Sequence, residues 1–166
     1  QVLKLATSNG KYGFTDNEGK EIIPFKYESG WSFIDNLAKV KLNGKWGFID
    51  KTGKEIIPFK YDFVRDFSGG FAFAKINSKW ALIDNTAKEI TTFKYDDAYP
   101  FVEKLAAVML NGKWGFIDQA GKQIIGFKYD EYSFFDGGIA FVSAGKKYGC
   151  IDKTGKEIVP LIHGFD

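Results

Sequence analysis

Short apolar runs alternate with polar turn residues along the whole chain. In the best-preserved segment, the run Leu37 to Leu42 is followed by Asn43-Gly44 and then by a second run, Lys45 to Asp50. Asn-Gly between two such runs is the strongest short signal for a hairpin, because both residues tolerate a positive φ. A turn that ends in Gly53 then leads to a third run, Lys54 to Phe59. Apolar residues do not follow the i, i+3, i+4, i+7 spacing of a helix, so the pattern predicts three antiparallel strands.

This three-run pattern recurs every 34 residues without insertion or deletion. Its register is marked by the aromatic residue at the second position of the second run, which precedes Gly or Ala: Tyr12, Trp46, Trp80, Trp114 and Tyr148. A fixed period of this size indicates a repeat architecture. The sequence therefore predicts one repeat domain over 1–166, with five copies at about 1–34, 35–68, 69–102, 103–136 and 137–166.

An Asp ends the second run of every copy, three residues before a Gly or its substitute: Asp16, Asp50, Asp84, Asp118 and Asp152. One carboxylate per turn lacks the clustered oxygen ligands of a calcium loop. We therefore expect these side chains to cap their own turns. In the third copy Asn77-Ser78 and Ala87 replace the usual turn residues, which predicts the most strained or loosest turns there.

Two further positions predict how the strands pack. Pro24, Pro58 and Pro160 lie in the third run, and because Pro cannot donate to a ladder this part of the strand is expected at a sheet edge or strand end. The Gly that follows the aromatic leaves a gap that a neighbouring ring could cover. A small residue is also held between bulky neighbours in four copies, which indicates a close-packed contact: Ala38, Ala72, Ala106 and Ala140.

The run from Asn43 to Asp62, NGKWGFIDKTGKEIIPFKYD, resembles the bacterial WG-repeat family, named for its Trp-Gly pair. The resemblance covers essentially the whole chain, although Tyr12 and Tyr148 replace Trp and Ala81 replaces Gly. It implies a β-rich repeat found in bacterial proteins, often secreted or surface-attached and generally without an assigned activity. The hairpin portion is similar, more distantly, to choline-binding and cell-wall-binding repeats, which hold ligands between aromatic residues of adjacent hairpins.

The fold expected is all-β, built of five antiparallel three-stranded repeats. The end copies are atypical, since Lys4 replaces the recurring Ala and Leu161-Ile162 replaces Phe-Lys. Altered end repeats are typical of an open array that needs caps, so an open β-hairpin solenoid is favoured. The alternative is a closed, five-bladed, propeller-like ring, which five equal copies would also suit.

The composition and charge of the chain exclude several classes of function. A chain with 45% hydrophobic and 17% aromatic residues is not a disordered segment, and no apolar run is long enough to span a membrane. One Cys and one His exclude clusters of either residue around a metal. The formal net charge is only +2, and a single Arg stands among the basic residues, so nucleic acid is not an expected partner. No cofactor is implied, because the glycines are used in turns and no phosphate loop is present.

Candidate ligand residues are aromatic side chains that break the repeat, since a core position would recur. Trp31 and Tyr99 occupy equivalent positions where other copies have Arg65 and Ser133, and Tyr132 replaces a small or aliphatic residue. Such variable positions in a linking segment are expected to be exposed. Cys150 replaces the Phe or Leu of other copies and is expected as a small buried hydrophobe.

The sequence is largely accounted for by self-packing and shows no convergent polar cluster. It therefore predicts no enzyme and no catalytic residue, but a structural or interaction module that presents a repeated β surface to a protein partner or to another copy of itself. The alternative is a module that binds a glycan, either a polysaccharide or a peptidoglycan, through its exposed aromatic residues.

Overall fold

The structure, a computed structural model, describes residues 2–34 and 36–163. These residues form eighteen β-strands and no helix, which confirms the all-β prediction. The strands are β1 (Lys4–Ser8), β2 (Lys11–Thr15), β3 (Glu21–Tyr27), β4 (Ser29–Gly30), β5 (Ala38–Leu42), β6 (Lys45–Ile49), β7 (Glu55–Tyr61), β8 (Phe63–Val64), β9 (Phe71–Ile76), β10 (Lys79–Asp84), β11 (Asp97–Ala98), β12 (Ala106–Leu110), β13 (Lys113–Ile117), β14 (Gln123–Tyr129), β15 (Glu131–Tyr132), β16 (Ile139–Ala144), β17 (Lys147–Asp152) and β18 (Glu157–His163).

The strands form five antiparallel sheets, one for each repeat. Three sheets have four strands in chain order: β4-β5-β6-β7, β11-β12-β13-β14 and β15-β16-β17-β18. Each begins with a two-residue strand that the sequence pattern places in the link between copies. The first sheet, β1-β2-β3, lacks this short strand, and the third sheet, β8-β9-β10, lacks a full outer strand.

The chain divides into two compact units, one of Gln1–Asn77 with Ile83–Glu89 and one of Ser78–Leu82 with Ile90–Asp166. Within the first unit, β4 and β5 pack against β2 and β3, and β8 and β9 pack against β6 and β7. Within the second unit, β15 and β16 pack in the same way against β13 and β14. In each unit, therefore, a sheet is covered by the first two strands of the sheet that follows it.

The hairpin turns are those that the sequence predicts. Asn43 and Gly44 have φ values of 51° and 76°, the double positive φ of a type I′ turn. The third copy carries its strain in the residues that replace glycine, because Ser78 and Ala87 have φ values of 65° and 69°. These positive φ values in non-glycine residues confirm the prediction of strained turns in that copy.

The recurring Asp residues cap the second turn of each repeat, as expected. Asp50 Oδ1 accepts hydrogen bonds from the Thr52 amide at 2.8 Å, the Thr52 hydroxyl at 2.6 Å and the Lys54 amide at 3.1 Å. The two backbone bonds recur in every copy, at Asp16, Asp84, Asp118 and Asp152. These donors hold the pKa of Asp50 below its ordinary value, chiefly through the Thr52 hydroxyl.

The outer strand of a full repeat is bulged. In the second sheet, Trp46 pairs with Tyr61 and Phe48 pairs with Ile57, so two residues of β6 span four residues of β7. The bulge contains Pro58, and β7 is the last strand of its sheet. The prediction that Pro marks an edge strand is therefore confirmed.

The bulge lies directly over the glycine of the Trp-Gly pair. A Cβ atom added to Gly47 would lie 2.6 Å from the carbonyl oxygen of Ile57 and 2.8 Å from Cδ1 of Phe59. Gly13, Gly115 and Gly149 would meet the backbone of their own outer strands at 2.6–2.7 Å. Because these neighbours include backbone atoms, any larger side chain would have to displace the outer strand.

The third repeat shows what happens without that glycine. Ala81 occupies the position, and the outer strand is reduced to isolated bridges. Thr91 compensates in part, because its hydroxyl accepts a hydrogen bond from the Leu82 amide at 3.0 Å. The amides of Ile90 and Thr91 both point to the Leu82 carbonyl oxygen, at 2.8 and 3.3 Å. A side-chain oxygen thus replaces a backbone partner where the Cβ of Ala81 excludes the usual bulge.

We predict that Gly115→Ala destabilises the protein by about 1–3 kcal/mol, the usual range for overpacking. The new Cβ would lie 2.7 Å from the Ile125 carbonyl oxygen and 2.8 Å from Cδ1 of Phe127. Gly126→Ala in the same repeat is the matched control, since its Cβ would have only the Gln123 side chain nearby, at 3.8 Å. Urea unfolding of both variants measures the difference. Equal stability of the two variants would contradict the close approach.

We also predict that the turn caps make stability depend on pH. The folded pKa of Asp50 is lowered by its Thr52 and Lys54 donors, so its contribution is complete above the unfolded pKa of about 4. That contribution is lost as pH falls through the lower, folded pKa. The melting temperature of Asp50→Asn should therefore lie further below that of the parent at pH 7 than at acid pH. A difference in melting temperature between variant and parent that stays constant over this pH range would contradict the role of Asp50 as a turn cap.

Candidate functional site

One exposed apolar surface lies on the fifth sheet. We call it the terminal face and define it by Phe141, Tyr148, Cys150, Val159 and Ile162. Phe141 is 67% exposed, Ile162 is 57% exposed and Tyr148 is 54% exposed. These residues line a cavity of about 510 Å³. Such a concentration of large apolar side chains in contact with solvent is uncommon on a soluble monomer.

The corresponding residues of inner repeats are covered by the segment that leads into the sheet that follows. Phe48, equivalent to Cys150, is 4% exposed and has the ring of Phe67 at 4.9 Å. Trp114, equivalent to Tyr148, is 8% exposed and has the ring of Tyr132 at 4.7 Å. The cavity on the fifth sheet therefore lies where the inner repeats receive aromatic side chains from their neighbour.

Cys150 differs from its sequence expectation. It is half-buried and lines the open cavity, whereas the pattern predicted a buried hydrophobe. The reason is that Phe14, Phe48 and Phe116 are buried by a following repeat. Among the described residues of the second unit, no sheet packs on the fifth one in this way.

The first and fifth sheets also differ in polarity. The fifth repeat has Ile162 where the other repeats have an exposed Lys, as at Lys60. Lys4, in contrast, replaces the buried Ala of later repeats and is exposed on the first sheet, as is Ser8. The first sheet thus has the polar character expected of a cap. The terminal face, in contrast, has the apolar Ile162 where the other repeats have Lys, so it lacks the polar character of a cap.

A second irregular surface lies in the first unit, between the segment after β4 and the segment after β8. We call it the Trp31 groove. It has a volume of about 160 Å³, and its polar lining residues are Ser32, Lys39 and Asp66. Trp31 lies along the groove and is 59% exposed, which agrees with the expectation for this candidate.

Lys39 is the central charge of the Trp31 groove. It is only 7% exposed and forms an ion pair with Asp66. Its ammonium nitrogen lies 5.4 Å from the ring centroid of Trp31, 5.9 Å from that of Trp46 and 5.7 Å from that of Phe63. Cation–π attraction to three rings, together with the ion pair to one carboxylate, therefore holds a Lys that would otherwise be costly to bury.

The other two candidates, Tyr99 and Tyr132, belong to an aromatic cluster in the second unit. Both are half-buried rather than exposed. Their ring centroids are 6.5 Å apart, and each also contacts Trp114, at 5.7 and 4.7 Å. Tyr132 packs against Phe116 as well, at 5.5 Å. These contacts make Tyr99 and Tyr132 packing residues between neighbouring repeats, although Tyr132 also reaches the wall of the cavity on the fifth sheet.

The carboxylates with a lowered pKa that lie outside the turn caps also make structural contacts. Asp62 pairs with Lys45 and also accepts a hydrogen bond from the Asn77 amide at 2.8 Å, and the Lys45 ammonium is the main cause of its lowered pKa. Asp96 and Asp130 form the same Lys pair in their own repeats. Each of these Asp residues is therefore paired with a Lys, and none of them lines the terminal face or the Trp31 groove.

The repeat geometry agrees with a comparison of sequences. The profile of the WG containing repeat matches residues 12–46, 46–80, 81–114, 114–148 and 148–162, which is nearly the whole chain. The chain belongs to the WG-containing repeat family. The five matched segments confirm the five copies that the 34-residue period predicts. The glycine that gives these WG repeats the second half of their name is the residue that the bulge covers.

Solved structures show a similar fold at low sequence identity. Hsv2p of Kluyveromyces lactis is similar with a TM-score of 0.53 and 12% identity, over 95% of this chain and 59% of that one. A eukaryotic initiation factor is similar with a TM-score of 0.58 and 10% identity, over 97% of this chain and 51% of that one. The WG repeats therefore span less than two thirds of either structure.

The likeness to Hsv2 is to a β-propeller-like structure, and it shows a fold of repeated antiparallel sheets. The open solenoid stays a prediction. No curated protein matches the chain by sequence. Among the described residues, no helix is long and apolar enough to cross a membrane.

Proposed function

We propose that this WG-repeat protein is a non-enzymatic interaction module that associates with a second copy of itself through the terminal face. The observation that carries the proposal is Ile162, which is 57% exposed and stands where the other four repeats have Lys, as at Lys60. On the same face, Phe141 is 67% exposed.

The terminal face continues a kind of interface that the protein already makes. The first and second sheets, and again the fourth and fifth, meet through aromatic side chains. A ring from the segment that leads into the later sheet covers Phe14 or Phe116 of the sheet before it. Ring centroids there are 4.8 Å apart for Phe14 and Phe33 and 5.1 Å apart for Phe116 and Phe135. Tyr148 and Cys150 occupy the same register on the fifth sheet, so that face suits an apolar, ring-bearing partner.

A second copy supplies such a partner through its own terminal face. Its first sheet is poorly suited, because Lys4 stands where a covering sheet places a buried Ala, as at Ala38 and Ala140. Two terminal faces placed together match apolar surface with apolar surface around a two-fold axis. This is the isologous arrangement that most soluble homodimers use.

A non-enzymatic role fits the use of the titratable groups. The carboxylates with lowered pKa values that lie in turns are fixed by amide and hydroxyl donors, as at Asp50. Others are fixed by Lys partners, as at Asp62 and Glu103. None of these groups lines the cavity on the fifth sheet.

Sedimentation of the purified chain over a range of concentrations tests the proposal. We expect a reversible dimer, and we expect Ile162→Lys to be monomeric at concentrations where the parent is dimeric, because a Lys would be desolvated in the interface. Ile158→Lys is the matched control. Ile158 is 49% exposed on the same strand and does not line the cavity, so this variant should remain dimeric.

The thiol of Cys150 gives an independent readout, since it lines the cavity. Its rate of reaction with a thiol reagent should fall as the protein concentration rises and the terminal face becomes covered. In Ile162→Lys the rate should not depend on concentration. A parent chain that stays monomeric, with a concentration-independent rate, would overturn self-association through this face.

A further inference from the structure

The Trp31 groove contains three side chains that the repeat does not require. The position of Trp31 is held by Arg65, Tyr99 and Ser133 in other repeats. Lys39 replaces an apolar residue in every other copy: Leu5, Phe73, Ala107 and Phe141. Asp66 likewise has no acidic equivalent, since its position is Ser32, Pro100 or Phe134 elsewhere. The set Trp31, Lys39 and Asp66 thus occurs at one place in the array, and the other repeats pack without it.

The burial of Lys39 distinguishes the groove from an ordinary packing contact. A Lys that is 93% buried loses most of its hydration, and one ion pair with a largely exposed carboxylate restores only part of it. An apolar residue serves for packing at this position in the other repeats, as the 1% exposure of Phe73 and the 2% exposure of Ala107 show. The charge therefore calls for a reason other than packing, and a few polar groups placed at the wall of an apolar cleft are typical of ligand sites.

The exposed atoms of the groove define the chemistry of a ligand. The indole of Trp31, 59% exposed, offers a flat apolar face. Beside it, the side chain of Asp66 is 61% exposed and offers charged acceptor oxygens. Ser32 adds an exposed polar residue at the same edge. A ligand that fits has one apolar face for the ring and hydroxyl groups at its rim for the charged and polar partners.

We propose that the Trp31 groove binds a neutral pyranose sugar, which stacks on Trp31 and donates hydroxyl hydrogen bonds to Asp66. The Lys39–Asp66 pair has no net charge, so the groove does not favour an ionic ligand of either sign. Its volume of about 160 Å³ is that of about five water molecules in the liquid. The groove therefore takes one sugar unit, which is either a free monosaccharide or the end of a chain. This site is separate from the terminal face and does not depend on self-association.

The indole N–H signals of the chain's four Trp residues give a site-specific test by NMR. The Trp31 signal is identified by its absence from Trp31→Phe. Glucose, galactose, mannose and N-acetylglucosamine are each added as free sugars, and maltotriose and tri-N-acetylchitotriose are added as chains. We expect at least one of these sugars to shift the Trp31 signal in a saturable way, while the signals of the buried Trp80 and Trp114 stay in place. A stronger response to a trisaccharide than to its monomer identifies a chain end as the ligand, and equal responses identify the free sugar.

Asp66→Asn tests the polar half of the site. Because it also removes the ion-pair partner of the buried Lys39, unchanged signals of Trp80 and Trp114 are required to show that the core is intact. We expect this variant to weaken sugar binding about tenfold or more through the loss of a charge-assisted hydrogen bond. Asp62→Asn is the matched control, since Asp62 is also an exposed partner of a Lys but lies outside the groove. It should leave binding unchanged. No shift of the Trp31 signal with any of the six sugars at millimolar concentrations, or equal weakening by both variants, would overturn the proposal.

Discussion

The close approach between the bulged outer strand and the glycine of strand two is the constraint on which the repeat depends. At Gly47 a single added Cβ would lie 2.6 Å from a backbone oxygen of the outer strand. Because of the bulge, Ile57 and Tyr61 both pair with strand two. They are four residues apart in β7, whereas their partners Phe48 and Trp46 are two residues apart in β6. Both outer-strand side chains are fully buried, so the core of the four repeats that have the glycine depends on it, even though the glycine itself adds no apolar surface.

Much of this fold could be predicted because its causes are local. Asn-Gly and Gly at fixed turn positions determine φ, and Asp50 caps its turn through atoms only two and four residues away. The recurring Ala could also be interpreted correctly, since Ala38 and Ala106 are fully buried. The short strands β8 and β11 could not be assigned to a sheet, because a two-residue strand has no period. Their pairing is determined only by the hairpin that follows.

The candidate sites were predicted less well, because exposure depends on neighbours that a sequence pattern does not show. Trp31 breaks the repeat, and it is exposed. Tyr99 and Tyr132 also break the repeat, but they lie against Trp114. The difference arises from the covering repeat, which brings a Tyr onto Trp114 but leaves Trp31 at the surface. Lys39 was missed, although a Lys at a position that is apolar in the other four copies was a signal that the sequence contained.

The altered third repeat has a consequence for how the chain opens. Its outer segment is tied to β10 through isolated bridges and the hydroxyl of Thr91, whereas β7 and β14 form ordered ladders. This segment pairs with β10 at Trp80–Tyr95 and Ile83–Glu89 but lacks the middle pair that β7 makes at Phe48–Ile57. Its amide protons should therefore exchange with deuterium sooner than those of the other outer strands, so that the Cβ of Ala81 decides which outer strand opens first.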